Sequence, residues 1–178
     1  MEAHFRVCYN ASKVLLVVTN SNEAMVLKPI YTKIEINAPA ETVWDIITDT
    51  DSYPKWNPFI PRITLKSKDA VVGSEFDLDC QMADSKLLRN EREVVLEVNH
   101  DEFIFRMGTS RTRGRPGIVS NHCQICKPVD DKCIFINYEE FRGSLAPIVY
   151  LLYSKKLKRA FEKHNLALKM RAEYLHQS

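Results

Sequence analysis

The chain has 178 residues, 45% hydrophobic and 27% charged, with a formal net charge of +2. That is the balance of one soluble globular domain large enough to enclose a core or a cavity. Near-neutrality argues against nucleic acid or an anionic membrane as the main partner. No apolar run approaches the roughly 20 residues of a membrane span. The expectation is therefore a cytoplasmic protein with no stable membrane insertion, acting as monomer or homodimer.

Residues 1–27 form an extension with one short apolar run, Val14-Leu15-Leu16-Val17-Val18, read as an accessory strand or helix. The main domain, over 28–178, follows. Ile30, Thr32, Ile34 and Ile36 alternate as one face of a first strand. Pro39 ends it and presets a helical turn, after which Val43, Ile46 and Ile47 fall on one helix face. Tyr53-Pro54-Lys55-Trp56-Asn57-Pro58 makes a tight aromatic connection.

Four alternating segments come next. They are marked by Ile63 and Leu65; by Phe76, Leu78, Cys80 and Met82; by Val94, Leu96 and Val98; and by Phe103, Phe105 and Met107. Asp77 and Asp79 lie out of phase and are read as solvated. Residues 108–117 read as a loop carrying Arg111, Arg113 and Arg115, without the interleaved aromatics of a nucleic-acid surface. Two strands, Ile118–Lys127 and Cys133–Arg142, make a hairpin around Pro128-Val129-Asp130-Asp131. Ser144 stands as a helix cap. A long helix from Pro147 to Tyr174 buries a stripe of Val149, Leu152, Ala160, Phe161, Leu168, Ala172 and Leu175.

Five cysteines, an odd number, do not suggest a disulfide framework. Cys123 and Cys126 point to opposite faces of one strand, which speaks against a metal site. Neither a phosphate-binding loop, a dinucleotide fingerprint nor a nucleophile elbow occurs. No cofactor and no metal are expected.

Taken in order, the strand, Pro39, the short helix, Trp56-Asn57-Pro58, the meander and the long helix resemble the START-like (SRPBCC) superfamily, in particular its polyketide cyclase/dehydrase-like branch. The resemblance covers roughly residues 28–175. It implies an α+β helix-grip fold: a curved antiparallel sheet of about seven strands around a long C-terminal helix, with two short helices after the first strand. It also implies a cavity between sheet and helix. The family pattern places cavity-facing positions two, four and six residues before Pro128, here Cys126, Gln124 and His122. The ending Glu139-Glu140-Phe141-Arg142-Gly143 resembles the family's Glu-x-Phe-x-Gly, so Glu139, Asn137 and Phe135 share the face of Phe141.

The hairpin brings His122 opposite Asn137 or Glu139, with Cβ atoms about 5 Å apart. Two readings stay open. The pair either moves protons, the carboxylate raising the imidazole pKa, or simply ties two strands together. Arg92, placed inward by the parity of Val94, would hold an oxyanion or neutralise Glu139, or else lie in water beyond the cavity. The expected site therefore has catalytic His122, Glu139 and Arg92. Its walls would be Gln124, Asn137, Phe105, Phe135, Phe141, Tyr153, Leu152, Val149 and Phe76.

The implied function is a cofactor-independent cyclase, dehydratase or isomerase on a polyketide or similar hydrophobic secondary metabolite. The alternative is a non-catalytic carrier or sensor of a lipid, sterol or other apolar ligand; a third possibility is an interaction module without a pocket. A His–Glu–Gln–Asn lining favours chemistry, and walls of Phe, Leu and Val with His122 turned away favour transport.

Overall fold

The computed structural model describes residues 27–85, 87–109 and 116–178. The extension, and the loop bearing Arg111, Arg113 and Arg115, lie outside them. Strand β1 (Ile30–Ile36) leads into α1 (Ala40–Thr48), a 3-10 turn (Thr50–Ser52) and α2 (Tyr53–Trp56). Six strands follow: β2 (Arg62–Leu65), β3 (Glu75–Gln81), β4 (Leu87–Asn99), β5 (Ile104–Thr109), β6 (Val119–Val129) and β7 (Lys132–Arg142). Helix α3 (Ala146–Gln177) closes the chain. The sheet is antiparallel in the order β1-β7-β6-β5-β4-β3-β2. At 32 residues, α3 is about 48 Å long and spans the concave face.

The first strand buries Ile30, Thr32 and Ile36, half-buries Ile34 and exposes Tyr31, Lys33 and Glu35, as its alternation requires. On α1, Val43, Trp44, Ile46 and Ile47 face the interior. Asn57 holds the following connection: its Oδ1 accepts the backbone N–H groups of Phe59 and Ile60 at 3.0 and 3.1 Å. Tyr53 is fully buried and donates to the Ile47 carbonyl at 2.6 Å.

Four expectations need correction. On α3 the buried stripe is Leu157, Ala160, Phe161, His164, Asn165, Leu168 and Ala172, whereas Leu152 and Leu175 are exposed. Leu145 rather than Ser144 occupies the position before the helix. On β4 the parity is reversed, because the strand carries two irregularities. Leu96 has no partner between the pairs Val95–Met107 and Glu97–Arg106, so Val95 is buried and Leu96 exposed. Upstream, Asn90 adopts φ 58° where the pairing jumps from Leu78–Glu91 to Cys80–Leu88. The inner face of β4 therefore presents Glu91, Glu93 and Val95.

Asp79, expected in solvent, is buried at that second irregularity and organises it. Its carboxylate takes both Arg62 Nε (2.9 Å) and Nη2 (2.7 Å), and also the backbone N–H of Asn90 at 3.0 Å. A buried carboxylate is tolerable because several donors meet it.

The entry to α3 depends on Gly143. It sits at φ +103°, and a Cβ there would lie 2.6 Å from the Gly117 carbonyl oxygen. That same oxygen accepts the Leu145 N–H at 2.8 Å. Gly143→Ala is expected to destabilise the protein by about 1–3 kcal/mol through backbone strain and displacement of this contact. Thermal denaturation would show it as a drop of several degrees; an unchanged midpoint would remove this role.

Candidate functional site

Between the sheet and the first half of α3 lies a cavity of about 200 Å³. Phe59, Leu88, Phe141, Val149 and Leu157 supply its apolar wall, and Cys80, Met82 and Ile118 complete it. Its polar lining is Glu91, Glu93, Glu139, Thr109, Ser120 and Tyr153, with Asn90 and Arg92 at the edge. Both of these last two are exposed.

The polar groups form a row across four neighbouring strands. Glu93 on β4 stands opposite Thr109 on β5. Thr109 Oγ1 accepts the Ser120 N–H at 2.7 Å and meets Ser120 Oγ at 3.1 Å. The Ser120 hydroxyl in turn hydrogen-bonds the Glu139 carboxyl. Burial pushes Glu139 well above the usual carboxylate range, and the nearby negative charge of Glu93 adds to it. Burial likewise pushes Glu93 up to about 7, with Glu91 contributing repulsion. Two carboxyls facing one low-dielectric space cannot both ionise cheaply, so the pair holds a proton near neutrality.

His122 is directly opposite Glu139 in the β6–β7 ladder, the register anticipated from the hairpin. Its ring does not line the cavity. It is stacked on Phe161 (centroids 5.0 Å, 11° between planes) with the edge of Phe59 against it. Its Nε2 meets Asn137 Oδ1 at 2.7 Å. Asn137 Nδ2 donates to Asn165 Oδ1, and Asn165 Nδ2 donates to Thr32 Oγ1, each at 3.0 Å. Since Asn137 offers His122 an oxygen, Nε2 carries the proton and Nδ1 is the lone-pair nitrogen. Burial lowers the imidazole to about 4, opposite to the rise expected from a neighbouring carboxylate. The carboxyl beside it is itself held neutral.

A second interior imidazole, His164, belongs to the same core. Its Nδ1 donates to Asn57 Oδ1 at 3.0 Å, and the ring packs between Trp56 and Phe135. Burial, reinforced by His122, lowers it to about 3. A buried neutral histidine penalises the fold below pH 6.5, where the unfolded chain takes a proton that the folded ring refuses. The stability advantage of the wild type over His164→Leu is therefore expected to shrink by about 1.4 kcal/mol per pH unit from 6.5 to 4.5. Urea midpoints of both proteins at pH 7 and pH 5 test it; a constant gap would contradict it.

The expected site residues thus divide. Glu139, Phe141, Val149 and Tyr153 line the cavity, and Arg92 reaches its rim from the outward parity of β4, where it pairs with Asp77. His122, Gln124, Asn137, Phe105, Phe135 and Phe76 are buried in the core, away from the lining, and Leu152 faces solvent. Glu91 and Glu93 were missed because the β4 irregularities hide their parity. His164 and Asn165 were missed as well, although two polar residues within the apolar stripe of one helix face were a signal for them.

Among the described residues no group of His, Cys, Asp and Glu is arranged to hold a metal ion. Nor is any helix among them long and apolar enough to cross a membrane.

A family model described as polyketide cyclase / dehydrase and lipid transport matches residues 29–173. Truncated norcoclaurine synthase from Thalictrum flavum is similar in structure, with TM-score 0.64 at 14% identity over 84% of this chain and 96% of its own. The Zhui aromatase/cyclase from Streptomyces sp. R1128 gives TM-score 0.65 at 12% identity, covering 82% and 93%. At such identities the likeness establishes the fold alone. A stretch of 33 residues is 48% identical to oxopyrrolidines biosynthesis cluster protein O of Penicillium oxalicum. It spans 18% of this chain and 16% of that protein.

Proposed function

Because the chain belongs to the polyketide cyclase/dehydrase and lipid-transport family, we propose that it binds a small secondary metabolite of polyketide type in the cavity and transfers protons on it, as a cyclase or dehydratase. The observation that carries this reading is the pair of carboxyls lining one cavity wall, Glu139 and Glu93, both raised by burial, with the charge of Glu93 adding to the rise of Glu139. A carboxyl pair with displaced pKa values is suited to supplying an acid and a base at neutral pH. In a dehydration, the Glu93 carboxylate takes a proton from the carbon beside a carbonyl. Glu139 gives its proton to the departing hydroxyl, which leaves as water. The Tyr153 hydroxyl, on the opposite wall, is placed to donate to the enolate oxygen. The cavity holds the substrate in a reactive conformer, so much of the acceleration comes from proximity. In this scheme His122 does not touch substrate; through Asn137 and Asn165 it keeps β6, β7, β1 and α3 in register. The stretch shared with the oxopyrrolidine cluster protein supports a biosynthetic setting.

One observation favours a non-catalytic carrier instead: Gln124, Asn137 and His122 are absent from the lining, and Phe, Leu and Val make up much of the wall. Native mass spectrometry of the protein as purified, alongside Val149→Trp, separates the readings. A retained small molecule lost in V149W marks the cavity as the ligand site. Converting that molecule with wild type but not with Glu139→Gln supports the enzyme; equal return of unaltered molecule from both supports the carrier.

A further inference from the structure

The cavity has a charge pattern that a neutral metabolite does not require. Among the described residues its wall carries three carboxyl groups, and its one cationic side chain, Arg92, is exposed at the rim. Carboxylates in a low-dielectric space ordinarily meet a cation or several donors, as Asp79 does elsewhere in this sheet. Glu139 has the Ser120 hydroxyl, whereas no described side chain donates a hydrogen bond to Glu93. Among the described residues, Glu93 thus faces the cavity with no donor of its own.

Resting on the reading of this cavity as the ligand site, we propose that its ligand carries a protonated amine, received by the Glu93 carboxylate. The apolar body of the ligand lies on Phe59, Phe141 and Leu157. At about 200 Å³ the space is below the roughly 300–1,000 Å³ of drug-sized pockets, so the ligand is compact, on the scale of one ring with a short arm. A carboxylate-bearing ligand is repelled by the same wall. A neutral hydroxyl can donate a hydrogen bond to Glu93 but leaves its charge uncompensated.

Groups facing Glu93 fix the pH dependence. Glu91 and the rim guanidinium of Arg92 come from its own strand, Glu139 from β7, Tyr153 from α3, and the neutral Phe76, Cys80 and Thr109 from β3 and β5. Lowering the pH through about 7 protonates Glu93 and removes the cation's partner. Amine affinity therefore falls as the solution is acidified.

The test is calorimetric titration of the full chain with benzylamine, benzyl alcohol and benzoate, three probes of one shape and three charges, at pH 8 and pH 5. Benzylamine at pH 8 is expected to bind at least tenfold more tightly than benzyl alcohol, with benzoate weakest. The advantage should collapse at pH 5 and in Glu93→Gln. Benzyl alcohol or benzoate binding as well as benzylamine would overturn the amine inference while leaving the cavity a ligand site. No binding by any of the three, with none to V149W either, would overturn both. Circular dichroism of E93Q secures that its fold is intact, and Glu93→Asp, which keeps the charge, should retain part of the preference.

Discussion

Replacing Phe161 by alanine is expected to cost about 3–5 kcal/mol, the usual range for deleting a buried phenylalanine. Marginal stability of roughly 5–15 kcal/mol makes that a large fraction of the whole. Phe161 is fully buried, and its ring meets Phe59 edge-on at 5.2 Å and His122 face-on at 5.0 Å. It separates two regions of different character: the Thr32–Asn137–Asn165–His122 network on one side, the cavity behind Phe59 on the other. Removing it deletes packing and admits water to an imidazole that burial now holds near 4. F161A should therefore lower the urea midpoint and also return the His122 titration towards its ordinary value near 6.5. A loss below 1 kcal/mol with His122 unchanged would mean that the ring is not the partition.

Glu139→Gln is expected to separate stability from function. A carboxyl raised in the folded state contributes stability that is complete below its unfolded value near 4.5 and is lost as pH rises through its folded value. At pH 8 the ionised unfolded side chain is therefore favoured over the folded one. Glutamine keeps the shape and has no proton to lose, so E139Q should be more stable than wild type at pH 8. The gain should fade towards pH 5, where wild-type Glu139 is neutral in the fold. Turnover of the retained ligand should fall by at least about 100-fold, the contribution typical of a positioned acid. Denaturant midpoints at pH 5 and pH 8, read beside turnover, check both halves. A variant less stable at pH 8 would show the carboxylate to be paired rather than strained.

The fold was largely readable from the chain, and the site only in part, for a physical reason. Order is encoded locally: Pro39 stops β1, Asn57 holds its turn by accepting two backbone donors, and the Asp130-Asp131 hairpin fixes the β6–β7 register. Because that register is exact, the opposition of His122 and Glu139 could be anticipated. Which groups reach the cavity depends on sheet-wide geometry instead. Leu96 slips out of the ladder, Asn90 turns left-handed beside Asp79, and these two local events swap Arg92 for Glu91 and Glu93 on the inner face. Alternation alone carries no sign of either event. The screening of His122 is equally non-local, since Phe59 and Phe161 come from segments 63 residues before and 39 residues after it. By contrast, His164 and Asn165 lie in the apolar periodicity of α3, and that pattern was a sufficient signal for a buried polar tie.

Reading the site as a carboxyl pair rather than a His–Glu pair alters what controls it. Under the proposed function, proton supply resides with Glu139 and Glu93, while burial lowers both imidazoles, His122 to about 4 and His164 to about 3. Function and acid stability are thereby assigned to different residues, and single substitutions can move one without the other.

The most direct test is the protonation state of Glu139 itself, followed by side-chain carboxyl carbon NMR on the full chain labelled at glutamate, with E139Q to assign the resonance. A Glu139 carboxyl that is still protonated at pH 7, coupled to a Glu93 transition near that pH, is the predicted result. A Glu139 signal that titrates like an exposed glutamate, fully ionised by pH 6, would contradict the account.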